Sequence, residues 1–283
     1  MIRIVTDSMS DLTQEDARRL GIEVFPMPVR FGEDEYWEGI NLSREEFFAR
    51  LRTADELPKT SQITPEIYLE TFNRLLEPSG DEVLCITGSS KLTGGYQSAL
   101  LARDMASDPA RITVVDSLNA TDGQMLLVIL ACRKLPEAGS AAELAAYVEE
   151  LKTRQKLFGQ AEDLKYLVMG GRLSPLVGKV GTALNIKPML KIEGGSIDQA
   201  GLVRGSGKGK AWYVEQLRKY PPDLSCPLII AGADCPEAVQ QIKAYFEQSG
   251  LQLPEIITAE SGSIIGTHVG PGLTVITWIM RKA

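Results

Sequence analysis

A single histidine, His268, stands among 283 residues, which removes every multi-histidine metal site from consideration. The four cysteines, Cys85, Cys132, Cys226 and Cys235, form no CxxC pair and have no histidine at zinc spacing. Three of them sit in apolar runs, the setting of buried thiols in a reducing compartment. Basic residues are in the minority. Lys and Arg number 30 against 37 Asp and Glu, a net charge of −7, the opposite of the basic face that nucleic acid demands. Local cations still suffice for a small anion site. Long hydrophobic runs are missing too: the longest, Met125 to Cys132, is far too short to span a bilayer. With no signal peptide ahead of Ile2-Arg3-Ile4-Val5, the expectation is a cytoplasmic protein.

Nucleotide motifs are absent as well. No G-x-x-x-x-G-K-[ST] occurs, and Lys91 precedes the Gly94-Gly95 pair instead of following it. No GxGxxG leads to a ribose-binding acid, so neither common route to ATP is available. The nucleophile elbow G-x-S-x-G is missing around Ser89 and Ser90, which leaves a Ser-His-Asp hydrolase with little support.

What is present is an ordinary globular composition, 44% apolar and 24% charged, organised around Val83 to Ala102. Val83-Leu84-Cys85-Ile86 reads as a buried strand, Thr87 to Gly95 as a polar loop, and Tyr96 to Met105 as a helix with apolar Leu100, Leu101 and Met105. A Gly/Ser/Thr loop entering a helix aims N–H groups and hydroxyls at one point, where an anion is favoured; taken alone it is more often a plain βα turn. Other loops of the same kind accompany it. Ile2 to Val5 runs into Thr6-Asp7-Ser8, Lys59-Thr60-Ser61-Gln62 forms a polar loop, and Ile112 to Val115 ends in Asp116-Ser117. Helix starts are marked by Thr13 with Asp16, Ser43 with Glu46, and Thr64-Pro65. Up to about residue 155 the order is strand, loop, helix, repeated, which predicts a parallel α/β sheet with a crevice at the strands' carboxyl ends. Asp7 and Asp116 are expected to accept loop N–H bonds there.

The second part changes character. A short helix is expected from Leu164 to Met169, closed by Gly170-Gly171, and another from Ser174-Pro175. Glu193-Gly194-Gly195-Ser196 between two apolar segments predicts a hairpin. Helices over 207–220 and 236–248, with strands over 228–231, 255–258 and 274–280, complete an α+β unit. The reading is therefore an α/β domain over 1–155 and an α+β domain over 156–283. His268, in Thr267-His268-Val269-Gly270-Pro271-Gly272, is placed in a loop, with a structural and a functional role equally open. Arg172 and Arg204 are hinged by glycines; a solvated charge is the plainer reading, and carboxylate or phosphate recognition the sharper one.

Together these motifs resemble the DegV family, and within it the fatty-acid-binding subunit of bacterial fatty acid kinase. The matching residues are Thr6-Asp7-Ser8 with Asp11-Leu12, Lys59-Thr60-Ser61-Gln62, Ser89-Ser90 through Thr93-Gly94, and Tyr96-Gln97-Ser98-Ala99. Val115-Asp116-Ser117, Gly170-Gly171-Arg172 and Leu184-Asn185-Ile186-Lys187-Pro188 follow, then Val203-Arg204-Gly205 and the His268 segment. The resemblance implies a long-chain fatty acid held between two domains as ligand, with no other cofactor and no metal. Its carboxylate would meet Thr60, Ser61, Thr93 and Gly94, with His268 nearby. Arg172 and Arg204 would serve kinase docking or handling of the acyl phosphate. The implied partner is the kinase's catalytic subunit, which supplies the ATP; an acyltransferase and a membrane surface are implied only as transient partners, and nucleic acid not at all. The family loop usually reads Leu-Ser-Gly-Thr, whereas here it is Leu92-Thr93-Gly94-Gly95, with an extra methyl at 93 and one hydroxyl fewer at 95. Candidates for lining the acyl tunnel are Leu92, Met125 to Leu130 and Ile264-Ile265. Two other classes stay open: a stand-alone phosphotransferase or hydrolase using His268 and Ser90, and a lipid-responsive regulatory or storage protein.

Overall fold

The computed structural model describes residues 1–162, 164–173 and 186–282. The helix expected at Ser174-Pro175 and the motif residues Leu184-Asn185 lie outside them. The chain opens with β1 (Ile2–Asp7), α1 (Gln14–Leu20), β2 (Glu23–Phe25), β3 (Pro28–Phe31) and β4 (Asp34–Trp37). Next come α2 (Arg44–Thr53), β5 (Lys59–Thr60), α3 (Pro65–Leu76), β6 (Glu82–Thr87) and α4 (Gly95–Met105). β7 (Ile112–Asp116), α5 (Thr121–Lys134), α6 (Ala141–Arg154), β8 (Gln155–Gln160) and α7 (Lys165–Met169) follow. The remainder is β9 (Ile186–Glu193), β10 (Ser196–Arg204), α8 (Ser206–Lys219), β11 (Leu228–Gly232), α9 (Pro236–Glu247), β12 (Ile256–Glu260), α10 (Ser263–Val269) and β13 (Thr274–Ile279).

Local chemistry accounts for several boundaries. Thr13 and Asp16 form a full capping box on α1, and Gly21 ends that helix at φ +69. Ser43 caps α2 by accepting the Glu46 N–H. Thr64 makes no side-chain cap, so Pro65 at the first helical position carries the start of α3 alone.

The strands form a four-stranded parallel sheet in the order β2-β1-β6-β7, a six-stranded sheet in the order β10-β9-β8-β13-β11-β12, and a small sheet β4-β3-β5. In the first sheet Val5 lies opposite Cys85 and Glu23, and Val83 opposite Ile112. Strand order reverses between β1 and β6, the switch point at which open α/β sheets leave a crevice. In the six-stranded sheet every neighbouring pair is antiparallel except β11 with β12. Its central strand β13 is buried at every residue.

α5 is buried from Thr121 to Ala131 and packs in one cluster with Leu84 and Ile86 of β6 and with Ile229 and Ile279 of the other sheet. A helix apolar on all sides belongs between layers. Of the two readings open for Met125 to Leu130, tunnel wall and plain core, the packing supports plain core. α4 turns its small residues inward. Its inner face is Gly95, Ser98, Ala99 and Ala102, while Leu101 and Met105 are exposed. Small side chains let α4 lie close to its neighbours, and the large ones are left outside.

Candidate functional site

Three strand ends meet at the switch point. Asp7, closing β1, accepts the Gly88 N–H on Oδ2 at 3.0 Å and the Met9 N–H on Oδ1 at 3.1 Å. Asp116, closing β7, accepts N–H bonds from Ser90 at 3.2 Å and Leu118 at 2.9 Å. The two aspartates therefore shape loops, as their positions predicted. Burial raises the Asp7 carboxyl, and the bonds from Gly88, Gln124 and Met9 act against it.

The loop so held, 88–94, faces a cavity of about 380 Å³, within the range of small-ligand sites. Most of its wall is apolar: Leu157 of β8, Leu190 and Ile192 of β9, Val275 of β13, and Ile264 and Ile265 of α10. Polar groups gather from a few places. Thr60 and Ser61 arrive from β5, which is positioned by the Val29–Thr60 register and the Ser61 N–H bond to the Pro28 carbonyl. Thr93 and Gly94 come from the loop before α4, Arg172 from the turn after α7, and His268 from the last turn of α10. His268 is helical, not in a loop as expected; the helix continues through Val269 and stops at Gly270, whose φ is +71.

His268 Nε2 and Thr60 Oγ1 are 2.9 Å apart, while Nδ1 is buried and has no hydrogen-bond partner among the described residues. Burial pulls the imidazole down to about 4, helped by the charge of Arg172, so the ring is neutral at pH 7. Gly170 makes room for it: a Cβ there would lie 2.5 Å from Nδ1. The half-buried Arg172 guanidinium donates to the Gly170 carbonyl at 2.6 Å and to the Leu92 carbonyl at 3.4 Å, tying α7 to the loop. Gly94 is required by Gln62, whose amide fills the space of a 94 side chain and donates to Ser98 Oγ at 2.9 Å.

The structure thus brings Thr60, Ser61, Thr93, Gly94, His268 and Arg172 to one cavity. Arg204 is not among them; it ends β10 as an exposed residue. Leu92, Ile264 and Ile265 line the wall as expected. Ser90 does not, and Ser89 donates to the Gly195 carbonyl at 2.7 Å, so neither serine offers His268 a nucleophile. Sequence reasoning gave Gln62 no role, although it directly follows Thr60-Ser61. It also missed the walls from β9 and β13, read only as apolar segments, and from β8, which it did not identify as a strand. Among the described residues no group of three or more His, Cys, Asp or Glu side chains is arranged to hold a metal ion, and no helix is long and apolar enough to cross a membrane.

Comparison with known proteins bears on what occupies such a cavity. A family described as "uncharacterised protein, DegV family" matches residues 1–281. A DegV domain-containing protein of Caldanaerobacter subterraneus is 35% identical over 271 residues, covering 95% of each chain. A fatty acid-binding protein of Thermotoga maritima is 34% identical over 278 residues, covering 96% of this chain and 95% of that one. Among solved structures, a DegV family protein from Thermus thermophilus, described for its fatty acid binding, aligns with a TM-score of 0.89 at 30% identity over 99% of both chains.

Proposed function

The chain belongs to the DegV family, and from that membership we propose that it holds a long-chain fatty acid and presents the carboxylate to a separate ATP-dependent kinase. The observation that carries this reading is the cavity itself: a mostly apolar wall that also carries hydroxyls and a neutral imidazole bonded to one of them. The relatives from Thermotoga maritima and Thermus thermophilus support the choice of ligand. We take residues 1–155 and 156–283 as two domains with the acid between them.

Affinity comes from the tail. Each buried CH₂ is worth about 0.8 kcal/mol, so a chain of roughly sixteen carbons is held firmly without a strong charge at its head. Orientation comes from Thr60, Ser61, Thr93 and the backbone at Gly94. The unpartnered His268 Nδ1 assigns the ring proton to Nε2, because an N–H on Nδ1 would be a buried donor with no acceptor. Nε2–H then donates to Thr60 Oγ1, and the Thr60 hydroxyl proton is free to donate to the carboxylate. A carboxylate held by neutral donors keeps lone pairs available for attack on a phosphoryl donor, where a tight arginine fork would withhold them. Arg172, beside the loop, and Arg204, exposed on β10, are assigned to kinase docking or acyl-phosphate handling. The chain is then a lipid-binding subunit and no enzyme by itself, working in the cytoplasm.

Mass spectrometry of lipid extracted from purified protein tests the reading. A stoichiometric fatty acid is the expected result; an empty cavity or a bound nucleotide would overturn it. With a kinase partner added, Arg172→Ala should keep the fatty acid while phosphorylation falls at least a hundredfold; release of the lipid would reassign Arg172 to the head-group site.

A further inference from the structure

The start of α10 is gripped by two carboxylates from the opposite end of the chain. Asp11 Oδ1 accepts the Gly262 N–H at 2.8 Å, and its Oδ2 accepts the Thr121 hydroxyl at 2.5 Å. Glu38 Oε1 accepts the Ser263 N–H at 2.7 Å, while Glu38 Oε2 is buried and has no partner among the described residues. Asp11 is 2% exposed and Glu38 7%. Gly262 permits the grip, since a Cβ at that position would fall on Glu38 Oε1.

The charges around the pair do not balance it. Asp122 of α5 is near enough to repel Asp11, and both its carboxyl oxygens are buried with no hydrogen-bond partner among the described residues. Among the described residues the cation that acts on the pair is Arg44 of α2, whose guanidinium donates to the backbone carbonyls of Asp11 and Glu260. The Ser8 and Ser261 hydroxyls complete the surroundings. Burial pushes Asp11 up to about 6, against the pull of Arg44. Burial, then repulsion by Asp11, pushes Glu38 up to about 7. Glu38 Oε2 is the atom best served by a proton: among the described residues it has no hydrogen-bond partner, and a bare carboxylate oxygen buried in that way is costly.

We propose that Asp11 and Glu38 are positioning residues of the lipid cavity, acting through α10, and that a proton held by the pair keeps the helix seated while loss of that proton loosens it. The role in lipid retention rests on the proposed function, because α10 contributes Ile264, Ile265, His268 and Val269 to the cavity. The sign follows from linkage. A seated pair binds more protons than a displaced, hydrated pair, so seating weakens as pH rises from about 5 to about 8.

Hydrogen exchange of the α10 amides in the purified protein, normalised to the intrinsic rate at each pH, reads the seating directly. Protection should fall about tenfold between pH 5.5 and 8.0. Glu38→Gln, which keeps a donor and an acceptor without charge, should hold the acid level of protection at both pH values, and Asp11→Asn should reduce the dependence in the same way. Release of bound cis-parinaric acid should accelerate with pH in step. Protection that is flat with pH in the unmodified protein, or an unchanged pH dependence in both variants, would overturn the proposal. A pH-responsive α10 in a protein that takes up no fatty acid at any pH would support the clasp and overturn the lipid reading instead.

Discussion

The two ends of α10 meet the same burial with opposite chemistry. Its first residues are held by Asp11 and Glu38, raised to about 6 and about 7, and its last turn carries His268, lowered to about 4. Burial favours whichever form is neutral, so it lifts acids and depresses a base. The stability contributions therefore run in opposite directions. The carboxyl contribution is full below the ordinary carboxyl range, near 4, and fades as pH rises through about 6 and 7. The imidazole contribution is full above its ordinary value of 6.5 and is lost as pH falls toward about 4. One helix thus loosens from its start in alkali and from its end in acid.

The harshest way to break this contrast is to move both ends at once. Gly266 lies midway, and a Cβ there would sit 2.6 Å from the Phe47 ring and 2.8 Å from Phe48. Gly266→Val should cost about 2–3 kcal/mol by overpacking and lower the melting temperature by roughly 6 °C, with lipid retention impaired at every pH. A melting temperature within a degree of the parent would mean that α10 has more freedom against α2 than its packing implies. His268→Ala cuts one end only. Fatty-acid affinity should drop about tenfold, and the loss of stability between pH 6.5 and 4 should flatten while the alkaline side stays as it was. Thermal melts across pH read both limbs, and an acid limb that survives the substitution would exonerate the imidazole.

Part of this contrast was visible in sequence and part was not. Local signals served well: Thr13 with Asp16 announced a capping box, Asp7 and Asp116 announced held loops, and Glu193 to Ser196 announced a hairpin. Thr60 and His268, 208 positions apart, came together through the family resemblance, since nothing local links them. Of the clasp, Asp11 stood among the residues that carry the resemblance but had no role there, and Glu38 had no signal. Asp11 meets Gly262 across 251 positions and Glu38 meets Ser263 across 225, and a lone acid in a loop looks solvated until its surroundings are known. The buried face of α4 had no apolar signal, because it is made of Gly95, Ser98, Ala99 and Ala102, which allow close backbone approach.

Smaller effects sharpen the head-group end. Thr93→Val removes a hydroxyl at nearly constant shape and should weaken fatty-acid binding about fivefold, near 1 kcal/mol, without moving the melting temperature. Equal affinity in a displacement titration would take Thr93 out of the site. Gly95→Ser should do the reverse. Tyr68 carries a buried hydroxyl with no partner, and a Cβ at Gly95 would lie 3.7 Å from it, an ordinary contact. A serine hydroxyl there can satisfy the tyrosine and relieve a glycine in a helix, adding about 0.5–1 kcal/mol. Calorimetry should show a higher melting temperature with lipid binding unchanged; a lower one would mean that the space is not free.

Gly262, Gly266 and Gly270 recur every fourth residue along this short segment, and a side chain at each would strike Glu38, the Phe47 and Phe48 rings, or the Tyr166 ring in turn. Seen as a pattern of permitted variation, the stretch splits in two. The glycines form a rail with no room for a side chain unless its neighbours shift. Ile264, Ile265 and Val269, interleaved with them and turned to the cavity, are exchangeable. A descendant of this chain could acquire a taste for a shorter, longer or bent acyl tail by altering those three side chains, while the rail kept its place.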